Sequence, residues 1–252
     1  MAFGNLVRAA LAFVALVLAM PLAPAMAQPT HVIVRARSFD AKFIGTHTGG
    51  VSVILTDAAT GQVLAQGQIG GGTGDTAKIM QTPPARFDAI SDADTAGFEA
   101  VLNLTRPTLV RAEAKGPLGR PASAITVSSM MWVIPGRDVL GDGWVLTFPG
   151  LAIEANVVRN SDRAPKVTAN VTMMCGCPIT PGGLWDSNDF TVEAYVLDGD
   201  RIVVRTALGY AGTASQFAGD LPRVGPGHFT LRIIALSKKT PNAGVIEQPI
   251  DM

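Results

Sequence analysis

The chain has 252 residues, and the first 27 read as a leader, so a mature chain of 225 has length for two small β domains or one larger domain. Its 20 basic and 20 acidic residues cancel, and loss of Arg8 with the leader leaves −1, which provides no concentrated basic face for nucleic acid. With 16% charged and 48% hydrophobic residues the composition is that of a folded chain; two cysteines exclude a disulfide-dense scaffold and a self-contained four-cysteine zinc site.

Residues 1–27 have the organisation of a secretory signal. Arg8 supplies positive charge, residues 9–20 (AALAFVALVLAM) form the apolar run, and Pro21 and Pro24 break it. Ala25-Met26-Ala27 places small residues at −3 and −1, so cleavage is expected before Gln28. The alternative is a retained anchor, but the run falls short of the ~20 residues of a spanning helix and prolines follow at once. No cysteine lies at the cut site for lipid attachment, and no later segment is long and apolar enough to span a bilayer. The expectation is an exported bacterial protein, periplasmic or secreted, in a compartment where thiols meet oxidants.

Beyond the leader, 27 glycines and 17 prolines are spread along the chain, as suits many short strands joined by turns. Residues 51–56 (VSVILT) and 63–69 (VLAQGQI) flank a turn in which Gly61 stands where positive φ is wanted, predicting a hairpin. Residues 98–104 (FEAVLNL) and 108–114 (TLVRAEA), broken by Pro107, read as the next pair. Residues 125–133 and 144–148, on either side of Gly141-Asp142-Gly143, read as a third.

The runs VSVILTDAATGQVLAQG, SDADTAGFEAVLNL and TLVRAEAKGPLG, within residues 51–119, are similar to carboxypeptidase-regulatory-like and transthyretin-like β-sandwich modules. Those families alternate a Thr-Gly hairpin, an acidic turn before a Phe strand, and a closing strand. Thr95 stands where their turn usually has glycine, with Gly97 two residues on. The resemblance covers about a quarter of the chain and implies a sandwich fold and no active site.

A polar, proline-containing stretch at 159–166 separates two apolar regions, so the expected organisation is all-β: two tandem β-sandwich domains after a cleaved signal peptide. The first domain is 28–160, the linker 161–166 and the second domain 167–252. Strands are expected at 167–175, 190–198, 201–210, 229–237 and 244–250, with Asp198-Gly199-Asp200 as a tight hairpin and Gly225-Pro226-Gly227 leading into a buried strand. An immunoglobulin-like sandwich of ~85 residues fits.

The chemistry concentrates at residues 167–177 (VTANVTMMCGC). Read with a period of two, the odd positions are Val167, Ala169, Val171, Met173 and Cys175, a core face, whereas Met174 interrupts the polar even face. Pro178 ends the strand, and a loop to Asp189 containing Pro181, Gly182, Gly183 and Trp185 follows. In a straight strand Cys175 and Cys177 lie ~6.6–7 Å apart at Cα, at or beyond bridging distance. A bend at Gly176 would bring them together, yet so small a loop constrains the unfolded chain by only ~1.6 kcal/mol.

Three readings of this segment stand. Cys175 packs as a small hydrophobe, Met173 fills core, and Cys177 pairs by default. Alternatively, Cys175 and Cys177, with Met173 or Met174, form a soft ligand set selective for Cu(I). Thiol–disulfide exchange is the third, although no Cys-x-x-Cys opens a helix here. A second methionine pair, Met130-Met131 before Trp132, reads as core filling unless the fold brings it to Met174.

Other candidates are thin. His31, His47 and His228 have no nearby ligand partners in sequence. Asp92, Asp94 and Glu99, or Asp138 and Asp142, lack the spacing of a full calcium loop. Residues 70–78 (GGGTGDTAK) lack the adjacent Gly-Lys-Ser/Thr of a phosphate loop and read as a flexible connection. No nucleophile elbow or His-Glu-x-x-His occurs. The functional expectation is an exported, non-catalytic binding protein with a Cys-Gly-Cys site for Cu(I) handling or delivery. The alternatives are a metal-free scaffold for a periplasmic or cell-surface protein partner, or a periplasmic thiol–disulfide component.

Overall fold

A computed structural model of the chain describes residues 26–160 and 163–252. Nearly all of the expected leader, and positions 161 and 162 of the expected linker, lie outside the described residues. The fold is all-β. In chain order the strands are β1 (Gln28–Ser38), β2 (Val51–Asp57), β3 (Val63–Ile69), β4 (Phe98–Leu104), β5 (Thr108–Gly116), β6 (Ile125–Val133) and β7 (Val139–Phe148). They continue with β8 (Leu151–Asn160), β9 (Arg163–Met173), β10 (Phe190–Asp198), β11 (Arg201–Tyr210), β12 (Gln216–Asp220), β13 (His228–Ser237) and β14 (Ala243–Asp251).

The first seven strands make a three-stranded sheet, ordered β4-β1-β7, and a four-stranded sheet, ordered β3-β2-β5-β6. Alternation along the strands produces the sandwich: Val51, Val53 and Leu55 of β2 and Val110, Ala112 and Ala114 of β5 are buried between outward-facing neighbours. They join Val34 and Ala36 of β1, Leu102 of β4 and Leu146 of β7 in one core. The β2–β3 hairpin forms as expected, with Gly61 at φ 74°. The next two expected pairs do not form. β4 pairs with β1 and β5 with β2 and β6, so the chain crosses between sheets at Pro107. β6 and β7 also part, because β7 runs parallel to β1 with Trp144 opposite Val34 and Phe148 opposite Ser38.

The C-terminal unit is one antiparallel sheet of seven strands, ordered β14-β13-β10-β11-β12-β9-β8, which curls so that its end strands β14 and β8 approach. Val167, Ala169, Val171 and Met173 line its core with Val192, Ala194, Leu231 and Ile233. The expected boundary at 161–166 is therefore corrected. Residues 151–160 pair with β9 as a hairpin, and Arg163 to Lys166 are already strand. The β8–β9 pairing runs up to Asn160 opposite Arg163, and the passage between units falls at Pro149-Gly150, where β7 ends and β8 begins.

Both faces of the chain are covered at that joint. Leu151 and Ile153 face the C-terminal core, whereas Ala152 faces the N-terminal one. Gly150 N–H donates to Asn242 Oδ1 at 2.5 Å, Phe39 N–H donates to the Phe148 carbonyl at 2.8 Å, and Trp185 Nε1–H donates to the Asp40 carbonyl at 3.0 Å. Ser123 Oγ accepts from Ile153 N–H at 2.8 Å. These bonds satisfy backbone groups buried at the joint, and those of Trp185 to Asp40 and of Ser123 to Ile153 link the two units.

Candidate functional site

The period-two pattern of β9 stops at Met173, and the chain turns back on itself. Gly176 N–H donates to the Met173 carbonyl at 2.8 Å, Met173 N–H donates to the Cys177 carbonyl at 3.2 Å, and Thr172 bridges to Pro178. Gly176 makes this possible with φ 76°, a conformation side chains resist. A Cβ there would lie 2.8 Å from Thr48 Cγ2 and 3.0 Å from His47 Cδ2, so the turn also needs a residue with no side chain. The Cα atoms of Cys175 and Cys177 stand 5.4 Å apart and the two residues are joined by a disulfide. Cys175 thus sits in a turn rather than continuing the strand.

The fold divides the expected four-sulfur set. Met173 belongs to the C-terminal core and Met174 to the N-terminal core, each 1% exposed. Met174 packs onto Gly150, where an added Cβ would meet its Cε at 2.9 Å. Its break in the polar pattern is explained by packing across the joint. Neither methionine lines the cleft onto which the cysteines face, so Met173 and Met174 are withdrawn as ligands. Met131 packs against the N-terminal core, and Met130 lies on the outer face of β6.

Cys175, Gly176 and Cys177 form one wall of a cleft of about 370 Å³ between the units. The opposite side comes from the N-terminal unit: Lys42, His47 and the backbone of residues 71–73. Trp185 closes one flank. Close main-chain packing builds that N-terminal side. Phe43 N–H donates to the Thr73 carbonyl at 3.2 Å, Thr46 N–H to the Gly71 carbonyl at 3.0 Å, and Gly71 N–H to Thr46 Oγ1 at 2.9 Å. At Gly45 a Cβ would lie 2.3 Å from the Gly71 carbonyl oxygen. The glycine-rich stretch at 70–74 is accordingly a fixed cleft wall rather than a flexible connection.

His47 was not marked by its sequence neighbours, yet it is the imidazole of this cleft. It stands on the short turn Thr46–Thr48, exposed, with its ring edge over Gly176. The cysteines are 1% and 5% exposed, so the cleft is their route to solvent. Among the described residues, no group of three His, Cys, Asp or Glu side chains stands ready to hold a metal.

The other acidic candidates have structural partners. Asp142 accepts from Ile90 N–H at 3.0 Å and Ser91 N–H at 2.8 Å; burial pushes its carboxyl up, but Ser91, Ile90 and Arg35 together hold it low. Thr95 Oγ1 donates to Asp92 at 2.6 Å and, with backbone donors, lowers it. Asp138 accepts from His31 N–H and Glu99 pairs with the His31 ring. Near the cleft, burial raises the Asp40 carboxyl against the opposing effect of Arg37. The N–H groups of Asn188 and Gly182 lower Asp186. No helix among the described residues is long and apolar enough to cross a membrane.

No family model and no curated protein matches the chain. Among solved structures, a DUF3823 family protein from Bacteroides uniformis ATCC 8492 is similar over 89% of this chain and 98% of that chain, with 12% identity and a TM-score of 0.30.

Proposed function

We propose that the chain is an exported, non-catalytic binding protein whose Cys-Gly-Cys turn takes Cu(I) when the pair is reduced, for copper handling or delivery. The observation that carries this reading is the turn at Gly176, which brings two sulfurs to one wall of an inter-unit cleft. Two thiolates converging at a cleft favour a soft monovalent ion over hard cations.

The leader-like residues 1–27 support export to the periplasm or beyond, and the 51–119 pattern supports a carboxypeptidase-regulatory-like or transthyretin-like relationship for the first sandwich. A periplasmic or cell-surface protein is the natural giver or receiver of the ion. The bridge itself favours a second reading, a structural cross-link that fixes the turn between two cores.

Competition against a strong Cu(I) chelator separates them. The mature chain, reduced and kept anaerobic, should take one Cu(I) per chain, and the bridged chain and Cys175→Ser should take none. If reduced wild type and Cys175→Ser lose copper to the chelator equally, the binding reading fails and the cross-link reading stands.

A further inference from the structure

Resting on the Cu(I) reading, we propose that His47 is the third ligand of a two-cysteine, one-histidine site that exists only in the dithiol state. The turn Thr46–Thr48 lays the imidazole over Gly176, with Nε2 3.4 Å from where a Cβ of that residue would stand. His47 lines the same cleft as Cys175 and Cys177, so the imidazole and the two sulfurs open onto one space. His47 is exposed, so its ring turns toward the sulfurs at little packing cost. Among the described residues no hydrogen bond or ion pair engages its ring nitrogens. Imidazole beside thiolate is a ligand combination that copper accepts.

The chemistry balances with a dithiol reductant. Its two thiols transfer two electrons and two protons to the bridge, leaving Cys175 and Cys177 as thiols and the reductant as a disulfide. Binding Cu(I) then releases both thiol protons, and two thiolates with one Cu(I) carry a net charge of −1. Lys42, whose Nζ donates to the Gly74 carbonyl at 3.3 Å, lines the same cleft and supplies a positive charge there. A disulfide oxidant takes two electrons from the two thiolates and, with two protons from solvent, becomes a dithiol; the bridge re-forms, both sulfur ligands are lost and Cu(I) leaves unchanged in oxidation state. The bridge is therefore a gate on the same cleft.

The test uses the mature full chain, reduced and anaerobic, with Cu(I) presented by a chelator of known affinity. His47→Ala should bind Cu(I) at least about 10-fold more weakly than wild type, since loss of even an outer-shell partner of a ligand costs about 10–100-fold. His47→Met, which keeps a soft donor, should recover much of the difference. Because His47 is exposed, neither change should move the thermal midpoint of the copper-free chain. If His47→Ala binds as wild type does while Cys175→Ser does not bind, the third-ligand assignment is overturned and the two-thiolate reading survives. If Cys175→Ser binds as wild type does, both fall.

Discussion

Gly176→Ala strikes the geometry from which the whole site follows. Alanine at φ 76° bears a left-handed penalty of about 1–2 kcal/mol. Its Cβ would meet Thr48 Cγ2 at 2.8 Å and His47 Cδ2 at 3.0 Å. His47 is exposed and can move aside, but Thr48 is 3% exposed and its hydroxyl donates to the Gly45 carbonyl at 3.2 Å. Relieving that contact requires a backbone shift, an overpacking cost of about 1–3 kcal/mol. The expected loss is thus about 2–5 kcal/mol, read as a lower urea midpoint at unchanged slope. In a chain of this size each kcal/mol lowers the thermal midpoint by about 2–4 °C. Thr48→Ser removes the offending methyl, so adding it to Gly176→Ala should restore about 1 kcal/mol relative to additivity. A Gly176→Ala chain within about 0.5 kcal/mol of wild type would refute the turn and its packing together.

Three further outcomes follow from the packing and charge arrangement. Met173→Ala and Met174→Ala should each cost about 2–5 kcal/mol by calorimetry, because each empties a filled position in a different core; a neutral Met174→Ala would remove its role at the joint. Arg35→Met should cost about 1.5–3 kcal/mol in urea unfolding, since the buried guanidinium donates to the Thr95 carbonyl, to Ala96 at 2.8 Å and to Gly141 at 3.4 Å. Asp142, Asp92 and Glu193 are held low in the folded chain, Glu193 by the Tyr195 hydroxyl and then Arg205. Their contribution is full above the unfolded carboxylate value of about 4 and disappears as pH falls through their lower folded values. The urea midpoint should therefore drop on acidification below about pH 4, and Asp142→Asn should flatten the drop; an identical profile in that variant would contradict its assignment.

Local signals were legible in the sequence where local chemistry decides. Gly61 and Gly199 take positive φ in hairpins that their flanking alternation foretold, and the odd face of 167–173 is the buried one. The pairing of β4 with β1 and the parallel partnership of β7 were hidden, because sequence neighbours end in different sheets. Polar residues at 159–160 and 163–166 suit paired strand ends as well as a linker, so the same composition pointed to the wrong boundary. Met174 broke the alternation because its outer face meets a second core, a condition set by the joint and invisible in one strand. Gly176 was readable as a bend. His47 was not readable as its neighbour, since more than a hundred residues separate them and only the loop against residues 70–74 places the imidazole there.

Copper-edge X-ray absorption of the reduced mature chain, loaded with one equivalent of Cu(I), reads the site atom by atom. The expected first shell has two thiolate sulfurs and one imidazole nitrogen, with both sulfur contributions lost in a Cys175→Ser, Cys177→Ser double variant. A shell of thioether or oxygen donors in the reduced wild type, or equal loading of the bridged protein, would contradict it.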